Sequence, residues 1–336
     1  MFERQTFEQS TSGDGRRTSL TPFAQLLLGS NADAPTSSSG ADAVETLHGV
    51  ACMPSYLSLA VGAHGECGYR RTMEDEHVSS LTLRCQQSLP PSKFFGVFDG
   101  HGGGECSKYL KRHMISEIEL ALNGLKLDST GLVSDDLIKE VLFDTFLKVD
   151  EDFLRKCAEE HYSNVGSTVT SVLVVGNRLY CANTGDARTV LSRGGVAVPL
   201  SRDHKPGEES EERRINDAGG KVFSSRIYGV LAVSRAFGDA DFKLGCEWLR
   251  EYNVTANLVL ADPEIEVTQL TDNDEFIILA CDGLWDVMSN QDAVDWVSNQ
   301  ICCGKSCEEI AKDLCNKAIH GLLSRDNVSV MIVKIG

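Results

Sequence analysis

A layered α+β fold with largely antiparallel sheets is what the sequence predicts, and three observations point to it. Short runs rich in β-branched and aromatic residues recur along the chain. Tight glycine turns join some of them: Gly176-Asn177 lies between Val174 and Leu179, and Gly194-Gly195 between Leu191 and Val196, spacings that suit hairpins and hence antiparallel pairing. Helical periodicity comes in separate blocks instead of following every strand, which argues for a sandwich rather than βαβ units.

The first 54 residues are rich in Ser, Thr, Gly, Ala and Asp, carry one short apolar stretch at 23–28, and read as a weakly ordered tail ahead of a single domain at 55–336. Arg16-Arg17-Thr18-Ser19 has the form of a basophilic kinase site, but so short a motif recurs by chance and carries no weight. Strands are expected at 57–62, 76–83, 94–99, 168–175, 178–183, 189–192, 265–270, 276–281 and 328–335. Leu137, Ile138, Val141, Leu142, Thr145, Phe146, Val149 and Phe153 recur at helical spacing, and Asp135 or Asp136 can cap the long amphipathic helix they form. Further helices are expected at 105–122, 208–217, 291–300 and 307–322. No internal repeat or long linker interrupts this part, so one domain accounts for it.

Composition narrows the function. The apolar fraction of 42% over 336 residues is enough for a sizeable core. A formal net charge of -17 argues against nucleic acid as the main ligand, because a phosphate backbone needs a basic face, yet an acidic protein can still hold phosphate through metal. The apolar runs at 276–281 and 169–175 are too short to span a bilayer, and residues 1–30 lack the basic start and apolar stretch of a signal peptide. A soluble monomer is expected, in the cytoplasm, with the nucleus as a second location. The twelve cysteines lack the paired spacing and matching histidines of a zinc site and read as buried free thiols of a reducing compartment; the cluster Cys302, Cys303 and Cys307 adds little.

The acidic residues carry the chemical information. Asp99 ends one apolar run and Asp282 another, each followed at once by glycine, and Asp326 stands just ahead of the last strand. An aspartate at a strand end is held rigidly, and the glycine lets the backbone come close enough for its carbonyl to coordinate as well. One Asp-Gly alone reads as a turn. Asp99-Gly100-His101-Gly102-Gly103, Thr184-Gly185-Asp186-Ala187-Arg188, Asp282-Gly283-Leu284-Trp285-Asp286 and Arg325-Asp326-Asn327 together put acidic groups at several strand ends. Carboxylates so gathered repel one another unless something positive lies among them, and carboxylate and carbonyl oxygens suit Mg²⁺ or Mn²⁺.

Tyr69-Arg70-Arg71-Thr72-Met73-Glu74-Asp75, Phe95-Gly96-Val97-Phe98-Asp99-Gly100-His101-Gly102-Gly103, Gly166-Ser167-Thr168, Asn183-Thr184-Gly185-Asp186-Ala187-Arg188, Asp203-His204-Lys205-Pro206, Leu231-Ala232-Val233-Ser234-Arg235-Ala236-Phe237-Gly238-Asp239, Ala280-Cys281-Asp282-Gly283-Leu284-Trp285-Asp286 and Arg325-Asp326-Asn327 follow one another along the chain. In these motifs and their order the chain, from about Tyr56 to the end, resembles the PPM, or PP2C-type, family of metal-dependent protein phosphatases. It implies a four-layer α-β-β-α sandwich with two largely antiparallel sheets.

Carried over residue by residue, the resemblance makes Asp99 the bridge between two Mn²⁺ or Mg²⁺ ions. The Gly100 carbonyl joins one ion, with Glu74 contributing directly or through water, and Asp282 and Asp326 hold the other. A third, weaker ion would be shared by Asp186 and Asp282, with Asp286 near. The implied reaction is attack of a hydroxide bridging the two ions on the phosphorus of phosphoserine or phosphothreonine in a protein substrate. Arg70 would bind phosphate oxygens and His101 would protonate the leaving oxygen. His204, Ser167, Thr168, Ser234 and Arg235 read as scaffold. The segment 241–260, with Trp248 and Tyr252, falls in the family's variable flap, where substrate choice would reside. Two rivals stand beside this reading: a pseudophosphatase that only binds partners, and a hydrolase of small phosphoesters. The Gly-x4-Gly-Lys-Ser/Thr loop of nucleotide binders is absent from the sequence.

Overall fold

The computed structural model describes residues 57–86, 89–125 and 133–336, so the expected tail at 1–54, with its Arg16-Arg17-Thr18-Ser19 motif, lies outside the described residues. In chain order the longer strands are β1 (Leu59–Glu66), β2 (Glu76–Ser80), β3 (Ser92–Phe98), β4 (Val169–Val175), β5 (Arg178–Thr184), β6 (Arg188–Arg193), β7 (Val196–Pro199), β8 (Glu264–Gln269), β9 (Asp274–Ala280) and β10 (Val328–Ile335). The α-helices are α1 (Glu105–Asn123), α2 (Asp135–Glu160), α3 (Glu209–Asp217), α4 (Glu247–Glu251), α5 (Asp282–Trp285), α6 (Asn290–Cys302) and α7 (Cys307–Asn316).

Two five-stranded sheets form, ordered β1-β10-β9-β6-β7 and β8-β5-β4-β3-β2, and every pairing within them is antiparallel. Both glycine turns close hairpins, β4 to β5 and β6 to β7. Strand periodicity explains the layering: along β3, Phe94 and Phe98 pack toward α1 and α2, while Phe95 and Val97 enter the apolar layer between the sheets. From the other sheet, Ile277, Leu279, Met331 and Val333 enter that same layer, while Phe276, Ile278, Val330 and Ile332 pack toward α6 and α7. The architecture is therefore helix, sheet, sheet, helix, as expected. Central strands covered on both faces need apolar residues at every position, and for that reason these runs read as continuous rather than alternating.

Local chemistry sets the helix starts. Ser134, not Asp135 or Asp136, caps α2, its hydroxyl accepting from the Leu137 N–H at 3.2 Å. The two aspartates occupy the first turn instead, where the helix dipole favours them, and Asp135 accepts from Arg178 and from Tyr180 at 2.7 Å. Ser306 and Glu309 form a capping box on α7. The helix expected at 307–322 gives way after Asn316 to a wider π turn, Lys317–Gly321.

A smaller apolar cluster gathers α3, the hairpin Val222–Phe223 with Arg226–Ile227, and the segment at 241–260. Trp248 lies inside it, edge-on to Phe242 and Tyr228, so it serves as flap core; Tyr252 beside it is exposed. Among the described cysteines all are free, six of them buried, whereas Cys302 and Cys303 are exposed.

Gly62 on β1 lies against the start of α7, where an added Cβ would overlap the backbone of Cys307 and Glu308. Helix and strand backbones cannot yield as a side chain can, so Gly62→Ala is expected to lower unfolding free energy by about 1–3 kcal/mol or more in urea titrations. Gly124→Ala, in right-handed helical conformation with only ordinary contacts, should leave stability unchanged or raise it by about 0.4–1 kcal/mol.

Candidate metal centre

Strand register brings the acidic residues together. Val97 of β3 pairs with Thr170, and Val169 of β4 pairs with Thr184, so the end of β3, the start of β4 and the end of β5 share one rim of the first sheet. In the second sheet Ala280 of β9 faces both Val330 of β10 and Arg188 of β6. The chain crosses between sheets over Gly185-Asp186-Ala187, and a 2.7 Å hydrogen bond between the Thr170 and Thr189 hydroxyls joins the sheets near that crossing. Asp99, Asp186, Asp282 and Asp326 therefore leave four strand ends at one mouth of the sandwich.

Carboxylate oxygens of Asp99, Asp186 and Asp282 lie within 4.8 Å of one another. Burial, then the charges of Asp282, Asp75, Asp186 and Asp326, hold the Asp99 carboxyl well above its ordinary range. Asp282 is pushed up to about 8 by burial and by Asp186, Asp326 and Asp286. Asp186 rises to about 6, chiefly through burial, with Lys205 opposing. Groups strained in this way are relieved by divalent cations, and all are the hard oxygen donors such ions take. An orphaned buried oxygen points the same way: Asp75 Oδ2, on a carboxylate whose charge acts on Asp99, lacks a hydrogen-bond partner among the described residues. The donor set thus fits Mg²⁺ or Mn²⁺.

The expected residues divide into a tight core and a periphery. Asp99, Asp282 and Asp186 form the core. Glu74 and Asp326 stand outside the tight trio, although the Asp326 charge acts on both Asp99 and Asp282. Glu74 accepts from Thr72 at 2.9 Å and from the Gly103 N–H at 3.2 Å. Gly100 runs against the Glu74 carbonyl, where a Cβ would overlap it. Gly283 is confined likewise by the Asn327 carbonyl, so both Asp-Gly pairs need glycine for close approach. Arg70 Nη2 donates to Asp326 Oδ2 at 2.6 Å, an ion pair linking residues 256 positions apart.

His101 Nε2 is 2.8 Å from Asp239 Oδ2, and Asp239 is 1% exposed with φ of 48°. Burial alone would lower the imidazole pKa, but the Asp239 charge and hydrogen bond, with Asp186 and Glu74, raise it overall. Such a ring keeps its proton longer and has Nδ1 left to give, since that nitrogen has no partner among the described residues.

Several site neighbours had no role in the sequence reading. Asp75 is buried behind Asp99 with its carboxyl raised to about 6, mainly by burial, beside Ser329 and Cys281. Asn327 ties the loop carrying Arg70 and Glu74 to β10: its Oδ1 accepts from the Glu74 N–H at 2.9 Å, and its Nδ2 donates to the carbonyls of Cys67 and Thr72 at 3.0 Å each. Lys205 reaches Asp186 at 3.5 Å and Asp286 at 3.4 Å, placing an ammonium where the third ion was expected. Each stood inside a motif already noted, but composition marks none of them as part of the cluster. Arg235 and Arg214 both bind the buried carboxylate of Glu211; burial works against its charge, yet the two guanidinia bring its pKa down to about 2. That triad ties α3 to the segments at 234–235 and 257–262, through the carbonyls of Ser234, Asn257, Leu258 and Asp262.

Comparison with known proteins accords with this geometry. The family model described as protein phosphatase 2C matches residues 59–328. "Protein phosphatase 2C homolog 3" of Schizosaccharomyces pombe is 38% identical over 273 residues, covering 80% of this chain and 62% of that relative. "Probable protein phosphatase 2C 2" of Oryza sativa is 36% identical over 293 residues, covering 83% and 72%. This chain thus spans less than two thirds of the length of the fission yeast relative. Among solved structures, a sex determining protein of C. elegans superposes with TM-score 0.68 at 27% identity over 83% of this chain and 65% of that one. A serine-threonine phosphatase 2C from Toxoplasma gondii gives 0.67 at 23% identity over 84% and 96%, a likeness of fold.

His204 supplies a pH test of the loop that carries Lys205. It is fully buried; its Nδ1 accepts from the Gly185 N–H at 3.1 Å and its Nε2 donates to Glu264 at 3.1 Å, so the ring is neutral. Burial first, then the Arg235 charge, lower its pKa to about 4. Between that value and about 6.5 the unfolded chain binds the extra proton, so stability present at neutral pH is lost as pH falls through this window. His204→Asn, which keeps an acceptor near Nδ1, should show a shallower loss of urea stability between pH 6.5 and 4 than the native protein.

Proposed function

The chain belongs to the protein phosphatase 2C family, and from that premise we propose that it is a metal-dependent protein serine/threonine phosphatase acting on phosphorylated proteins. The observation that carries this reading is the meeting of Asp99, Asp186 and Asp282 within 4.8 Å at the shared mouth of both sheets. In the proposed site, Asp99 would help hold both of two Mn²⁺ or Mg²⁺ ions, with the Gly100 carbonyl and Glu74 as further donors to one, Asp282 and Asp326 to the other, and Asp186 with Asp282 to a weaker third. When bound, such ions supply Lewis acidity that activates water for in-line attack and offsets the charge on the phosphoryl group.

The chain's own groups then bind and protonate. Arg70, more than half exposed, exchanges its Asp326 partner for two phosphate oxygens, a task its planar fork suits. Glu74, held by Thr72 and the Gly103 N–H, keeps the adjoining turn in place. His101, its Nε2–H fixed on Asp239, gives the Nδ1 proton to the serine or threonine oxygen as the phosphorus–oxygen bond breaks. An alkoxide leaving without that proton would face most of the barrier the histidine removes.

Isothermal titration with Mn²⁺ and hydrolysis of a phosphothreonine peptide test the whole. Asp99→Ala and Asp282→Ala should abolish turnover and weaken Mn²⁺ binding. A folded protein that takes up neither Mn²⁺ nor Mg²⁺ would refute the proposal, and metal and peptide binding without turnover would make the chain a partner-binding pseudophosphatase instead. His101→Ala should slow phosphothreonine hydrolysis by roughly 10²–10⁴-fold while sparing an aryl phosphate, whose leaving group needs little protonation. Arg70→Ala should mainly raise KM, since it removes binding common to ground and transition states.

A further inference from the structure

Behind the His101 and Asp239 pair lies a buried ion pair that the packing of the sandwich does not require. Asp150 on α2 is 7% exposed, and Lys243, just after the short turn Ala240–Phe242, is 4% exposed. The Lys243 ammonium donates to Asp150 Oδ2 at 2.6 Å and to the Ala236 carbonyl at 3.1 Å. The other Asp150 oxygen accepts from the Gly238 N–H at 2.8 Å. Fully buried lysines are rare, and a buried ion pair is often matched in stability by apolar residues of the same volume. The surrounding helices and strands offer such an alternative, because Phe146, Phe153, Phe237 and Cys157 already fill this region with apolar atoms.

Its position gives the pair a different significance. Its hydrogen bonds fix the chain at Ala236 and Gly238 on one side of Asp239 and at Lys243 on the other. Asp239 itself has left-handed φ of 48° after Gly238 at 76°, and its N–H donates to the Val165 carbonyl at 2.9 Å. Aspartate enters this region more readily than most residues, and here the hydrogen bonds on either side of the step hold it there. The turn so held aims the Asp239 carboxylate at His101 Nε2, and Gly166, where a Cβ would overlap both side chains, clears the path between them.

We propose that Asp150 and Lys243 are positioning residues, holding the turn at Gly238 and Asp239 so that Asp239 fixes the orientation of His101 for proton donation. The catalytic part of this inference rests on the reading of His101 given above; the orientation of the ring does not. Asp150→Asn leaves a neutral amide facing the Lys243 ammonium, and Lys243→Met leaves the Asp150 carboxylate without its cation. Each should lower kcat on a phosphothreonine peptide by roughly 10–100-fold, with KM and aryl phosphate turnover changed less than about twofold. The double variant, neutral on both sides and still able to accept from the Gly238 N–H, should recover most of the loss.

Orientation is read separately from the His101 Nε2–H resonance in ¹⁵N-labelled protein with Mg²⁺, which should be sharp in the native chain and lost or broadened in Asp150→Asn. Should Asp150→Asn fail to fold, Asp150→Glu carries the same test, because it keeps the charge pair and moves only the acceptor. An unchanged Nε2–H resonance overturns the proposal, as does equal loss on peptide and aryl phosphate where His101→Ala is selective. Equal loss in His101→Ala itself, with the resonance still lost in Asp150→Asn, overturns only the acid role of His101.

Discussion

Carboxylates set side by side at the mouth of a protein cleft repel one another, and the fold must hold them there against that repulsion. Asp99, Asp186 and Asp282 leave strands of two different sheets, so their separation is fixed by how the sheets stack. The layer that fixes it is apolar: Phe95, Val97, Val172 and Val174 from one sheet meet Leu191, Ile277, Leu279 and Met331 from the other. Close packing of this kind resists compression and shear, so the acidic cluster cannot spread without opening the interior. The raised pKa values of Asp99 and Asp282 express the same constraint as a preference for protons or cations.

Around this centre the chain supplies its own cations, and they differ in how firmly they are held. Arg188 is bound by both oxygens of Asp203 and lies over Trp285, so it belongs to the scaffold. Arg214 and Arg235 are committed to Glu211. Arg70 and Lys205, by contrast, lie exposed or half-exposed on carboxylates of the cluster itself. The Arg70 pair, partly exposed on both sides, is of the kind that is weak and exchanges readily, whereas Lys205 meets the buried carboxylate of Asp186.

Much of the architecture could be read from local pattern. The hairpins at Gly176-Asn177 and Gly194-Gly195 form as expected, because a two-residue glycine turn leaves little choice of pairing. The first strand was less legible. β1 continues to Glu66, beyond the expected end at residue 62, because Ala63-His64-Gly65-Glu66 has no strand pattern of its own and is held by pairing with β10. The short helix at Asp282 was likewise unseen: the Asp282-Gly283 step reads locally as a turn, while the Trp285 indole reaches back to the carbonyls of Ala280 and Arg188.

By itself the sequence determined which groups are present at the strand ends: aspartates followed by glycine, one histidine and one arginine in distinctive settings, and apolar runs long enough to bury the strands that carry them. Only the tertiary structure decided their partners. That Arg70 rests on Asp326, that Asp239 rather than a nearer carboxylate takes His101, and that Lys205 lies against Asp186 depend on contacts between segments up to 256 residues apart. Such contacts follow from strand register and sheet stacking, which sum small packing preferences over the whole domain. A side chain's local sequence holds no record of that sum.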